Sequence, residues 1–142
     1  IFFLVSCGAV SSYAKPDFTI NKEIPIIVSD IDGDEPGVQE KLEHLLLTKG
    51  FNVVSKSYLG DLDKSSKGGM YFSVDDQKSY EIQLNFTYYY DVFYYAFKSF
   101  SARVVDRDTN KIVITANFSG DKSVTAVLNE FMIELEKYFI DS

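Results

Sequence analysis

The sequence predicts a single α+β domain, a mostly antiparallel sheet with two amphipathic helices packed on one of its faces. Three features predict it. Residues 80–90 alternate between ring or aliphatic and polar side chains, the mark of a strand with one buried and one wet face. Two other segments carry apolar residues at helical spacing. The chain has 142 residues, 46% apolar and 25% charged, and a chain of that size can bury roughly two thirds of its unfolded surface. The element order is strand, helix, strand, three-stranded meander, helix.

Residues 1–14 (IFFLVSCGAVSSYA) are apolar, then small, with no charge before Lys15. A bilayer span needs about 20 apolar residues, so the stretch reads as a signal-peptide remnant or a lipoprotein leader. Leu4-Val5-Ser6-Cys7 resembles a lipobox, which would make Cys7 the lipidation site. Ser12-Tyr13-Ala14 instead offers small residues for ordinary cleavage ahead of Lys15. A third reading is an N-terminal edge strand with Cys7 as a buried apolar side chain. Residues 15–23 read as a polar linker or a short edge element, and residues 24–142 as the domain.

Ile24-Pro25-Ile26-Ile27-Val28 is the first strand, with Pro25 at its entry. An acidic turn over residues 29–37 leads to a helix over 36–49, whose stripe is Val38, Leu42, Leu45 and Leu46. Pro36 suits the first turn, Asp34 or Glu35 its positive end, and Gly50 its stop. Phe51-Asn52-Val53-Val54-Ser55 is the next strand, followed by a polar loop at 58–69 and a short strand at 70–74. In the meander, strand 80–90 turns Phe86, Tyr88 and Tyr90 inward and Tyr89 outward. Strand 95–105 turns Phe100, Ala102 and Val104 inward, and strand 111–118 does the same with Ile112, Ile114, Ala116 and Phe118. The closing helix, 122–138, buries Val124, Val127, Leu128, Phe131 and Leu135, points Glu130, Glu134 and Lys137 to water, and takes Asp121 as its cap.

Composition removes several kinds of chemistry. Fourteen basic against twenty-one acidic residues give a net charge of -7. Nonspecific nucleic-acid binding draws its affinity from cationic side chains, so no nucleic-acid partner is expected. One cysteine and one histidine cannot build a disulfide, a CxxC pair or a zinc cluster within the chain. Asp30-Ile31-Asp32-Gly33-Asp34-Glu35 opens like a calcium loop, but Glu35 stands where the loop needs glycine and Lys41 where it needs the closing glutamate. His44 lies between charged neighbours on the first helix, as an isolated surface histidine would. The aspartates at 61, 63, 75, 76, 91, 106 and 108 sit mainly in turns, where local backbone bonding accounts for them. No catalytic residues, no metal ligands and no cofactor are expected.

The unusual segment is Phe86 through Phe97 (FTYYYDVFYYAF). Its rings can pair across strands, and the turn leaves Tyr89, Phe93 and Tyr94 as a possible interface, since aromatics are enriched in interface cores. Lys98 and Arg103 are too few cations for a backbone track. Without a basic fringe, membrane contact is expected only through the N-terminal lipid.

Leu4-Val5-Ser6-Cys7, Gly50-Phe51-Asn52-Val53-Val54 after the helix, Thr109-Asn110-Lys111-Ile112-Val113 and Ser119-Gly120-Asp121-Lys122-Ser123-Val124 together carry a family likeness. The chain resembles small bacterial envelope lipoproteins whose domain looks like the N-terminal domain of TolB, also seen in curli-secretion and penicillin-binding-protein-activator lipoproteins. Asn110 stands where those meanders often have glycine, and the Tyr88 to Tyr95 run does not map onto the group. The resemblance implies a noncatalytic, lipid-anchored periplasmic module that binds another envelope protein or itself, with Cys7 acylated. The alternatives are a soluble secreted carrier with Phe86, Tyr88, Phe100 and Phe118 lining a cavity, and a hydrolase using surface carboxylates.

Overall fold

The computed structural model describes residues 8–55 and 78–141. Cys7, the loop expected at 58–69 and the strand expected at 70–74 lie outside the described residues.

The strands are β1 (Ser11–Ala14), β2 (Ile20–Asn21), β3 (Ile26–Val28), β4 (Tyr80–Asp91), β5 (Tyr94–Asp106), β6 (Lys111–Ser123) and β7 (Phe139–Ile140), and the helices α1 (Val38–Thr48) and α2 (Val124–Glu136). A five-stranded sheet runs in the order β1-β6-β5-β4-β3, antiparallel except for the parallel β3–β4 pair, and β2 pairs with β7 in parallel. This is the predicted α+β class. The helical stripes, Val38, Leu42 and Leu46 on α1 and Val124, Val127, Leu128, Phe131, Met132 and Leu135 on α2, close one cluster with Ile82, Phe100, Val104, Ile114 and Phe118 of the sheet. The other face presents Gln83, Asn85, Ser101, Arg103, Thr115 and Asn117, amides, hydroxyls and a guanidinium around a shallow cleft.

Local chemistry fixes each helix end. Both carboxylate oxygens of Asp34 accept backbone N–H groups at the start of α1, from Val38 and Gln39, each at 2.8 Å. The acidic turn is thus a helix cap, and α1 begins at Val38, two residues later than Pro36 suggested. At the other end Phe51 N–H reaches Leu46 O at 3.0 Å and Gly50 N–H reaches Leu47 O at 3.1 Å, with Gly50 at φ +85°. That left-handed glycine terminates the helix and returns buried Phe51 to the core.

Several expectations are corrected. Strand 51–55 is a single parallel bridge between Val53 and Ile26. The stretch read as a linker or short edge element, 15–23, contains β2, whose Ile20 is buried beside Phe139 because β7 pairs with it. Residues 11–14 pair with β6 as an edge strand, as in the third reading of the N-terminal stretch. Strand β6 continues five residues past 118, through a bulge at Gly120 (φ +150°), because β5 is long enough to pair Phe97 with Lys122 and Ala96 with Ser123. Helix α2 therefore starts later than expected, and its cap is Ser123, whose hydroxyl accepts Ala126 N–H at 3.1 Å, in place of Asp121. Ile112 is half exposed, since the register slips between Val104 and Val105 opposite it. Glu130 and Glu134 do not point to open water. Glu130 accepts Val10 N–H at 3.3 Å and the Lys122 ammonium at 2.6 Å, and Glu134 accepts the Ser12 hydroxyl at 2.7 Å.

Candidate functional site

Strands β4 and β5 form a hairpin whose register closes at Asp91 opposite Tyr94, leaving a two-residue turn of Val92 and Phe93. Two-residue turns twist with the strands only when a central residue takes positive φ, normally a glycine or asparagine. Here Val92 takes φ +52°, an outlier for a β-branched side chain. The chain accepts this strain to place an aliphatic and an aromatic side chain at the apex. Phe93 is 87% exposed, Val92 70%, Tyr90 60% and Tyr94 46%, an apolar apex with Tyr90 on one face of the hairpin behind it and Tyr94 on the other.

Burial fades along the helix-facing side of β4. Ile82 is buried, Leu84, Phe86 and Tyr88 are half-buried and Tyr90 is exposed: it lies on the expected face but is not buried there. The register shift opposite Thr87 and Tyr88 leaves the extra residue, Lys98, in β5, so β4 alternates without interruption and Tyr90 leans on Tyr95, with ring centroids 5.1 Å apart. From there the rings run inward in close contact, Tyr95 to Tyr88, Tyr88 to Phe86, Phe86 to Phe97, Phe97 to Phe100 and Phe100 to Phe131. Each such pair adds about 0.5–1.5 kcal/mol beyond the area it buries. The hairpin is therefore stiffened from the core outward. Phe86, Tyr88 and Phe100, expected as cavity lining in the carrier reading, are packed on one another in this chain of rings.

Behind the apex lies a belt of phenols. Tyr88 donates to Glu35 and Tyr89 to Asp121, both at 3.2 Å. Desolvation first and the carboxylate second push both phenols above the ordinary tyrosine value, while for Tyr94 the Asp91 carboxylate is the leading cause. These phenols are neutral donors at physiological pH. Lys98 ion-pairs with Asp121 at 3.0 Å and lies over the Tyr89 ring at 5.2 Å. Of the three expected interface residues, the structure thus brings Phe93 and Tyr94 together at the tip and sets Tyr89 half-buried behind them. Val92 and Tyr90 were missed. The only signal for Val92 is its place between two aromatic strand ends.

The chain enters the described fold at this same end. Strand β1 runs antiparallel to β6, with Ser11 opposite Asn117, so Gly8 comes alongside Ser119. Lys122 donates to Gly8 O at 2.8 Å. Gly8 holds φ +44°, and a Cβ there would stand 2.6 Å from Ser119 O, so the close approach needs glycine. The opposite end of the β5–β6 pair is the charged turn after Asp106, where Asn110 supplies a left-handed φ of +58° in place of a glycine.

His44 is exposed on α1 and lines an open groove of about 690 Å³ between the helices, with Glu40, Glu43, Leu47, Leu128 and Asn129. Burial pushes the Glu43 carboxyl above its ordinary value. Among the described residues no three histidine, cysteine or acidic side chains gather where they could hold a metal ion.

No family model matches the chain, and no curated protein matches it in sequence. Its fold matches solved structures. The PelC dodecamer from Paraburkholderia phytofirmans superposes with a TM-score of 0.54 at 11% identity, over 90% of this chain and 95% of that one. A single-residue variant of the same dodecamer gives 0.55 at 11% identity, over 92% and 99%. Lipoprotein GNA1162 from Neisseria meningitidis aligns over 84% of this chain and 96% of its own at 16% identity, with a TM-score of 0.33. What this chain shares with PelC is the fold.

Proposed function

We propose that the protein is an exported, noncatalytic interaction module of the bacterial envelope, tethered on the periplasmic side by a lipid on Cys7 and acting by contact with another envelope component or with its own copies. The observation that carries this reading is the hairpin ending in an exposed apolar apex of Val92 and Phe93, flanked by the exposed rings of Tyr90 and Tyr94. A strained β-branched residue at the apex costs stability, and such strain persists where the position serves a purpose.

Strand β1 supports cleavage before Cys7 over cleavage after Ala14. Cleavage after Ala14 would remove β1, buried Val10 and the bonds of Ser12 to Glu134 and Tyr138. Cleavage before Cys7 leaves all of them in place. The dodecameric assembly of PelC, whose fold this chain shares, supports self-association as one form of the contact.

The test is the intact mass of the protein expressed with its native leader in a bacterial host, read separately from membrane and soluble fractions. A membrane species beginning at Cys7 and carrying a diacylglyceryl group is expected. A soluble species beginning at Lys15, or an unprocessed cytosolic chain, overturns the tethered reading.

A further inference from the structure

We infer that the hairpin tip is a membrane-contacting element that inserts Val92 and Phe93 into the same lipid interface to which Cys7 is tethered. The inference rests on the tethered reading for its setting, while its geometry comes from the described residues.

The two ends of the β4–β5–β6 sheet differ in chemistry. One end closes in the charged turn Asp106-Arg107-Asp108-Thr109-Asn110, and the other in the apolar cap. Gly8 lies beside Ser119, which pairs with Ser99, six residues from Phe93 along β5. At roughly 3.3 Å per residue the tip stands about 20 Å beyond Gly8 along the strand. Strand β1 therefore enters the described fold from the end bearing the cap, with Gly8 next in sequence to the lipobox cysteine. An inclined sheet brings Gly8 and the tip to one interface, with the tip reaching the depth of about 5–10 Å at which interfacial apolar groups settle.

The side chains are graded as a lipid interface would sort them. Val92 and Phe93 at the apex have no polar side-chain atom. The next rank, Tyr90, Tyr94, Tyr89, Tyr88 and Tyr95, is apolar in body with a hydroxyl at the tip, the pattern of residues at headgroup level. One carboxylate, Asp91, flanks the apex and takes the Tyr94 hydroxyl as its partner at headgroup level, and further charges come behind, in the Lys98–Asp121 pair and Glu35. The net charge of -7 selects against strongly anionic lipid, so the surface is neutral or zwitterionic. A basic fringe is needed only where the surface is anionic. With an acyl anchor already supplying retention, the tip fixes orientation.

The chain has no tryptophan, so Phe93→Trp gives a single reporter at the apex. The test uses the chain from residue 7 onward as Cys7→Ser, without lipid, mixed with phosphatidylcholine vesicles. The indole emission of the Phe93→Trp variant is expected to shift to the blue and to be quenched by brominated lipid. Phe93→Ser is expected to weaken partitioning about tenfold or more, the scale of removing one buried aromatic ring from the lipid. Ile133→Ser, an exposed apolar residue on α2, is the control and leaves it unchanged. A reporter spectrum that ignores vesicles overturns the inference, as does one that shifts only as the protein self-associates in their absence. The latter result assigns the tip to protein contact. Because the vesicle test uses protein without lipid, a failed Cys7 mass measurement and a failed vesicle result are separate outcomes.

Discussion

The Ser12 hydroxyl donates to the Glu134 carboxylate at 2.7 Å, joining edge strand β1 to helix α2 across 122 residues of sequence. Tyr138 meets the same hydroxyl at 2.9 Å, and Glu130 on the preceding turn of α2 receives Val10 N–H. A four-residue edge strand has few ladder bonds of its own, so these side-chain bonds decide whether it stays docked. Lys137 first and Ser12 second hold the Glu134 carboxyl below its ordinary value. A lowered folded-state pKa contributes stability that is present above the unfolded value and is lost as pH falls through the folded one. Protection of the β1 amides from hydrogen exchange should therefore fall on acidification before that of β5. Glu134→Gln should flatten this acid limb. An acid limb of equal size in the variant would remove Glu134 as the cause.

Gly8 is a second fastening point for β1. Alanine there would be strained at φ +44° and would drive its Cβ to 2.6 Å from Ser119 O, a backbone atom that belongs to the long strand β6. The cheapest response is for the segment before Val10 to lift away. Gly8→Ala should cost on the order of 1–2 kcal/mol and should lower exchange protection in β1 while sparing the β4–β5 ladder. Unchanged protection would mean the close approach at Ser119 is not what seats the strand.

What was legible in the sequence follows from the range of the forces involved. The helices and the meander could be read because each buries a stripe whose period repeats over several turns or residues, as in Val38, Leu42 and Leu46 or Ile82, Val104 and Ile114. Elements β2 and β7 are two residues each, too short to show a period, and exist only because Ile20 and Phe139 meet in the fold. The parallel β3–β4 pairing is likewise set by where α1 packs, which no local pattern encodes. At the candidate site the aromatic run is visible and Tyr90 lies on the face that alternation gives it, but it is exposed, because strict alternation does not encode how far the covered part of the sheet extends.

The cap of α2 separates two serviceable residues that lie two apart. Ser123 accepts Ala126 N–H at 3.1 Å, whereas Asp121 is engaged with Lys98 and Tyr89 on the hairpin. Ser123→Ala should cost about 1 kcal/mol of stability. Asp121→Ala should leave the denaturant midpoint close to that of the parent protein, because the ion pair it removes is exposed, while freeing the Tyr89 phenol to titrate closer to its ordinary value. Denaturant midpoints check the first pair of values, and ultraviolet titration of the phenols checks the last.

Val92 sets up the sharpest contrast between stability and function. An L-residue in the left-handed region costs about 1–2 kcal/mol, and a branched Cβ is poorly suited to it. Because Val92 is largely exposed, little packing is lost when its side chain is removed. Val92→Gly should therefore raise the denaturant midpoint by an amount worth about 1 kcal/mol, at an unchanged slope, after the added chain entropy of glycine in the unfolded state is subtracted. The same substitution removes apolar surface from the apex, so the more stable variant should be the weaker vesicle binder. A drop in the midpoint would show that the valine side chain packs against the hairpin, and the strain at this turn would then need no functional explanation.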